Sequence, residues 1–412
     1  MHPSRPIVLR MLLLISTCVG CVELRTAGAA EASRKFLEGL RQRGLYGLAI
    51  DYLEQMRASP AAPADFKETI DYEKGILLLA TLDTATDRPK QLAEAEKCLA
   101  TFLQQHPGHA STMVAQARLG RVLMEQGDAA ARSAIDPRNP AGKQTEGLPV
   151  ARSLYEEAGR VLAAAENQFD TRQKQLSKIV AQGSVQELDQ RDAARRELLE
   201  IRLAQAALVY ETAQTYAVGS RQRQDRLTTA AAQYHRLYER YQDLLAGCYA
   251  RLGEARCVKE LGDVKQALLA LEELFQQPDD SEAFRQMKNK ALLLVLETCL
   301  LPSVKDWKQA VTRGQQWLNT ARRTEASSTE GLAIQYLTAR AIWETAKAFL
   351  ADDPARAVTL GAARRLLVSA SQQPSGYQQA AQVLLLDPLL AAGENNDRNR
   401  PGKSGKPSRQ SK

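Results

Sequence analysis

Gly402-Lys403-Ser404 carries the closing letters of a phosphate-cradling loop, the one tripeptide of this chain that points to nucleotide chemistry. Such a loop needs another Gly five residues before Gly402, where Asp397 stands, with a strand ahead of it and a helix behind. Those requirements fail, and no nucleotide is expected there. Histidine is scarce: besides His2 there are only His106, His109 and His235. In QQHPGHAS, His106 and His109 flank a Pro-Gly turn without a third or fourth ligand at useful spacing, so they are expected to face solvent rather than hold a metal. His235 sits in QYHRLYERY, where core-edge packing and a place in a groove are both open. Cys98, Cys248, Cys257 and Cys299 show no CxxC pairing. Cys248 and Cys257 share one expected helix and cannot bridge each other. Buried thiols are expected, with a longer-range disulfide as the alternative. HExxH, GxSxG and an ordered Cys–His–Asn set are missing, and the 48 Asp and Glu residues are dispersed among Lys and Arg, as on solvated helix faces. No catalytic residue, cofactor or metal ligand is expected.

The elements that would position any site are helical. Ala, Leu, Gln, Glu and Arg dominate, aromatic residues make up 5%, and the alternating Val/Ile/Thr runs of half-buried strands are missing. The net charge of +7 is concentrated at the ends: residues 1–30 carry +2 and residues 393–412 carry +4, leaving +1 between them. A near-neutral body lacks the clustered cationic face that phosphate backbones require, so nucleic acid is not an expected partner. Arg5 and Arg10, the apolar MLLLISTCVG and the small-residue TAGAA have the three-part layout of a secretory signal over residues 1–30. Cleavage near Ala30 would leave no integral membrane span. Cys18-Val19-Gly20-Cys21 offers a second reading with a lipid anchor at Cys21, and an uncleaved anchor is a third. Export to the periplasm or cell envelope is expected, with a lipoprotein or secreted form as alternatives.

One phrase occurs twice, ARLGRVLMEQGD from residue 117 and ARLGEARCVKELGD from residue 250. After the second, Gly262 and Asp263 open a turn, and Ala267, Leu271 and Leu274 follow at i, i+4, i+7. After the first, Gly127 and Asp128 open a turn, a loop of roughly 20 residues intervenes, and Ala151, Tyr155 and Ala158 take up the same spacing. Partial matches occur at Gly44/Ala49/Leu53/Met56, Ala95/Leu99/Phe102, Ala230/Tyr234/Leu237, Ala310/Gly314/Trp317 and Ala339. The series resembles the tetratricopeptide repeat, a 34-residue helix–turn–helix unit with small residues where its paired helices cross. Two departures stand out in the second phrase: Glu254 and Arg251 occupy places where apolar residues are usual.

That resemblance implies an all-α solenoid of helical hairpins. Residues 31–148 and 219–392 are read as N- and C-terminal repeats, and residues 149–218 as an inserted long helical hairpin of two helices over 30 residues each, broken at Gln182-Gly183-Ser184. The hairpin is either a working part or a spacer. Residues 393–412 lack large apolar side chains and are read as a disordered basic tail. Carrying the family's groove-lining places onto the two phrases gives Val114, Ala117, Arg121, Met124 and Glu125, then Tyr249, Leu252, Arg256, Lys259 and Glu260. The Tyr- and Arg-rich stretch from Tyr234 to Arg256 either lines a concave face or packs between repeats. The implied function is a non-enzymatic scaffold of the cell envelope that binds a protein or peptide through the concave surface. The alternative is an envelope tether acting through the long hairpin and the basic tail.

Overall fold

The computed structural model describes residues 30–136, 141–176, 184–278, 281–350 and 352–391. Every regular element among them is a helix, and none of them forms a strand. The chain divides into two compact units on either side of the Arg226–Leu227 step. The first holds α1 (30–42), α2 (Tyr46–Ala58), α3 (Ala64–Lys67), α4 (Ile70–Ala80), α5 (Arg88–Gln105), α6 (Thr112–Ile135), α7 (Ala141–Leu176) and α8 (Val185–Gln214). The next helix, α9 (Arg221–Tyr241), straddles the step. The second unit continues with α10 (Leu245–Glu260), α11 (Val264–Phe275), α12 (Glu282–Cys299), α13 (Trp307–Thr320), α14 (Arg323–Ala326), α15 (Thr329–Ala346), α16 (Pro354–Gln372) and α17 (Gln378–Leu385). The secretory segment, Cys21 and the basic tail lie outside the described residues.

Within each unit the helices pack in chain order, and every second helix also meets the next but one: α2 on α4, α4 on α6, α6 on α8; α10 on α12, α12 on α15. This is an all-α, solenoid-like stacking of helical hairpins. The residue types say why. Ser184, Ser281 and Ser328 cap the first helices α8, α12 and α15 through their side chains, whereas Asp87, Asp263, Asp306 and Asp353 cap the second helices α5, α11, α13 and α16. Gly262, at φ +96°, supplies the left-handed residue between α10 and the Asp263 cap. The small-residue series falls where helices cross: Ala49, Ala95, Ala151, Ala230, Ala267, Ala310 and Ala339 are all fully buried. At Gly314 on α13 any larger side chain would run into Thr338 of α15.

The expected 20-residue loop after Gly127 is not there. The first helix continues to Ile135 and its partner already starts at Ala141. The Gly127-Asp128 pair, read as a turn, is instead a contact: a Cβ on Gly127 would come within 2.5 Å of the Tyr155 ring, whose hydroxyl donates to Asp128 Oδ1 at 2.6 Å. Gly120 likewise lies under Leu162, and Gly147 against Ala134. Small residues recurring every seven positions at Gly120, Gly127 and Ala134 let α6 and α7 lie close along most of α6. Pro149 lies inside α7, where it forfeits a backbone hydrogen bond; the turn before it stays helical with Gly147 docked on α6.

The long hairpin is present as α7 and α8, 36 and 30 residues long, with Ser184 and Glu187 forming a reciprocal cap at the start of the return helix. Its root is not separate from the repeats: Leu162, Phe169, Leu198 and Ile201 share a core with Ala117 of α6. Because α6 and α7 run antiparallel with Gly127 opposite Tyr155 and Gly120 opposite Leu162, α6 ends near Phe169, and α7 beyond that point is left with α8.

Candidate protein-binding face

The site is best built from the two departures in the second phrase. Arg251 and Glu254, three residues apart on α10, pair at 2.7 Å. Arg251 reaches on to Glu273 of α11 at 2.9 Å, and Tyr238 of α9 donates to the same carboxylate at 3.1 Å. The imidazole of His235 lies between Glu254 at 3.1 Å and Glu239 at 3.3 Å. The two misfits of the repeat pattern are therefore partners in one network tying α9, α10 and α11 together. Such a buried carboxylate is tolerated because its charge is matched. Tyr234 and Tyr241 are buried, Tyr234 resting against Gly253, while Arg236, Arg240 and Arg256 are exposed. Of the two readings of this stretch, Tyr234 and Tyr241 take the packing one.

By helix period Tyr249, Arg256 and Glu260 fall on the opposite side of α10 from Arg251. Lys290 of α12 stands 5.8 Å from the centre of the Tyr249 ring and 3.8 Å from Glu330 of α15. Lys259 pairs with Glu297 of α12 at 3.2 Å, and Glu297 also accepts from the Tyr377 hydroxyl at 3.3 Å. The Tyr377 ring stacks on Tyr336 of α15 with 5.0 Å between centres. Burial, reinforced by Glu297, pushes the Tyr377 phenol up to about 12, and burial raises Tyr249 as well, so both remain neutral hydroxyls. The result is one aromatic and ion-paired face running from α10 across α12 to α15.

The expected groove residues divide. In the second unit Tyr249 and Lys259 contact α12, and Arg256 is exposed and Glu260 half-buried on α10, whereas Leu252 is 3% exposed and part of the core, so it is not open to a ligand. In the first unit Arg121 is exposed, Glu125 is paired with Arg88 at 2.6 Å, and Val114 and Met124 are half-buried against the core. Ala117 is buried there as well and is likewise closed to ligands. Both sit where neighbouring helices meet, Ala117 in one core with Leu162 and Leu198 and Leu252 in one with Leu271 and Val295.

Lys290, Glu297, Glu330, Tyr336 and Tyr377 were not found from sequence. A signal for them exists. Charged partners on successive hairpins of the second unit are separated by 38 residues for Lys259–Glu297, 40 for Arg285–Glu325 and Arg322–Glu282, and 41 for Arg313–Glu272. A search for opposite charges at that interval would have exposed the face, whereas the 34-residue period conceals it.

His106 and His109 do not simply face solvent. The Pro107-Gly108 turn folds both rings against Phe102, at 5.5 and 5.3 Å between centres, and His109 Nδ1 accepts from the Ser111 amide. The described residues hold no group of three or more His, Cys, Asp or Glu side chains arranged for a metal ion. None of their helices is long and apolar enough to cross a membrane. Cys98, Cys248, Cys257 and Cys299 are buried free thiols. Burial raises all four, Cys98 and Cys299 to about 11 and Cys257 to about 12. At pH 8, iodoacetamide is expected to leave these four untouched in the native protein and to label them in guanidinium, read by peptide mass spectrometry. Native labelling of any of them would show that its helix opens.

Neither a family model nor a curated protein matches the chain. The likeness to tetratricopeptide repeats therefore rests on the small-residue spacing and the order of helix packing.

Proposed function

We propose that the protein is an exported, non-enzymatic scaffold of tetratricopeptide type that binds a protein or peptide on the α10–α12–α15 face. The observation carrying this reading is the set Tyr249, Lys259, Lys290, Glu297 and Glu330 linked across the three first helices α10, α12 and α15, with Tyr377, just before α17, bonded to Glu297. Tyrosine and arginine are over-represented where proteins recognise one another, and a row of opposed charges selects orientation more than it adds affinity. The test is site-specific photo-crosslinking in envelope preparations. A benzophenone at Arg256 is expected to capture a discrete partner that one at Lys265, on α11, does not. Capture by the Arg256 benzophenone that persists when Lys259 and Lys290 are both changed to Glu would remove the face from the account.

A second reading, an envelope tether, is favoured by the reach of α7 and α8 beyond α6. Deleting residues 177–192 spares Phe169, Leu176, Ala194 and Leu198 of the shared core. Under the tether reading that deletion abolishes envelope association, and under the scaffold reading it does not.

A further inference from the structure

The second unit contains a cleft away from that face, between α11, α12 and α13. Its volume is about 290 Å³, and its walls include Phe275, Leu292 and Trp317 together with Arg285, Lys288 and Arg313. Cations outnumber carboxylates along it: Glu325 is the only acidic residue lining the cleft, and it is held by Arg285. Arg313 lies over the Phe275 ring and pairs with Glu272 just outside.

The decisive group is Asn289, 7% exposed at the base of the cleft. The Trp317 indole N–H donates to Asn289 Oδ1 at 2.7 Å. An indole nitrogen can only donate, so this bond fixes which end of the amide is which. The Asn289 N–H₂ end meets no acceptor among the described residues. That end is not sealed from water, so an acceptor on a ligand would take the place of solvent there. Asn289 also lines a second cleft, where Glu282, Glu325 and Glu330 face a single cation, Lys290, and disfavour an anion; the first cleft, with Lys288, is the one suited to it.

We propose that this cleft takes a glutamate or aspartate side chain of a polypeptide partner, accepting from Asn289 and facing Lys288, with an adjacent apolar residue between Phe275, Leu292 and Trp317. The proposal rests on the reading of the protein as a polypeptide-binding scaffold and adds a second, chemically specific anchor to it. A cleft of this size holds one or two side chains, and its combination of an apolar wall with a few fixed polar groups is the usual form of a specific pocket.

The experiment is calorimetric titration of the full chain with a terminally blocked pentapeptide of sequence Ala-Leu-Glu-Leu-Ala, its Gln counterpart, and an unblocked Ala-Leu-Ala-Leu-Ala. The acidic peptide is expected to bind at least about tenfold more tightly than the Gln peptide, the scale of one charge-assisted hydrogen bond. Lys288→Gln, at a half-buried position on the cleft rim, is expected to weaken it several-fold. Asn289→Asp retains the acceptor for Trp317 while turning the open end from donor to acceptor, and is expected to abolish the preference. Equal affinity for the Glu and Gln peptides, no binding by any peptide at millimolar concentration, or affinity unchanged in both variants would overturn the proposal. Tighter binding of the unblocked Ala peptide would assign the cleft to a chain terminus instead and also overturn it. Persistence of the Arg256 crosslink in Lys288→Gln alongside such a failure would leave the scaffold reading standing and remove only the cleft.

Discussion

Replacing Arg285 with alanine is expected to destabilise the second unit by about 3–5 kcal/mol, the range for stripping a buried carboxylate of its partner. Glu325 is 4% exposed and receives both arms of the Arg285 guanidinium, at 2.8 and 2.6 Å, as well as the Arg322 amide at 2.7 Å. Alanine removes the two charged donors and leaves the anion in place. The paired change Arg285→Met with Glu325→Leu is expected to cost clearly less, because neither half is then left buried with its charge unmatched. All three tryptophans, Trp307, Trp317 and Trp343, belong to the second unit, so denaturant unfolding followed by tryptophan emission reads the effect there.

The pH dependence has a definite sign. The hydrogen bonds from Arg285, foremost among the causes, hold the Glu325 carboxyl below its ordinary value. Its stabilisation is therefore complete above the carboxyl value of the unfolded chain and disappears as pH falls through the lower folded value. In Arg285→Ala the same carboxyl is buried without its partner, which favours the neutral acid. The gap between the parent protein and the variant is thus expected to be widest at pH 7 and to narrow toward pH 4. A gap that is constant with pH would show that the pair is not the source of the loss.

The second large effect concerns the α6–α7 contact. Tyr155 is 2% exposed, and truncating it to alanine is expected to cost about 3–5 kcal/mol through the cavity left between the two helices. Tyr155→Phe isolates the hydroxyl and is expected to cost about 1–3 kcal/mol, because Asp128 then loses its donor. Burial, ahead of the opposing Tyr155 hydrogen bond, raises the Asp128 carboxyl above its ordinary value. The sign here is opposite to that at Glu325: the contribution is full below the unfolded-state value and fades as pH rises through the raised folded value. Asp128→Asn keeps an acceptor for Tyr155 without the charge. It is expected to match or slightly exceed the parent at pH 7 and to flatten that part of the pH profile. Far-UV circular dichroism through urea unfolding measures all three variants, and an Asn variant as damaging as Tyr155→Phe would refute this account of the pair.

Helical class, the pairing of helices and the places where backbones cross closely were legible because each is written locally. Ala at Ala49, Ala95, Ala267 and Ala310, with large residues one and two turns later, marks a crossing whatever surrounds it, and Asp263 after Gly262 marks a helix start. The same local logic misread Gly127-Asp128 as a turn. A glycine beside an aspartate looks the same whether it ends a helix or makes room for a tyrosine 28 residues further on, and only the partner helix distinguishes the two.

What the sequence by itself determined is therefore the all-α class, the small-residue crossings and the long α7–α8 hairpin, all set by propensity and periodicity within a few turns. Only the tertiary structure decided that Arg251 and Glu254 are partners rather than defects, that Leu252 belongs to the core, and that Lys259, Lys290, Glu297 and Glu330 form one face. Those facts depend on which residues some 40 positions apart are brought within reach, and that distance is set by loop lengths and helix rotation that no short stretch of chain encodes.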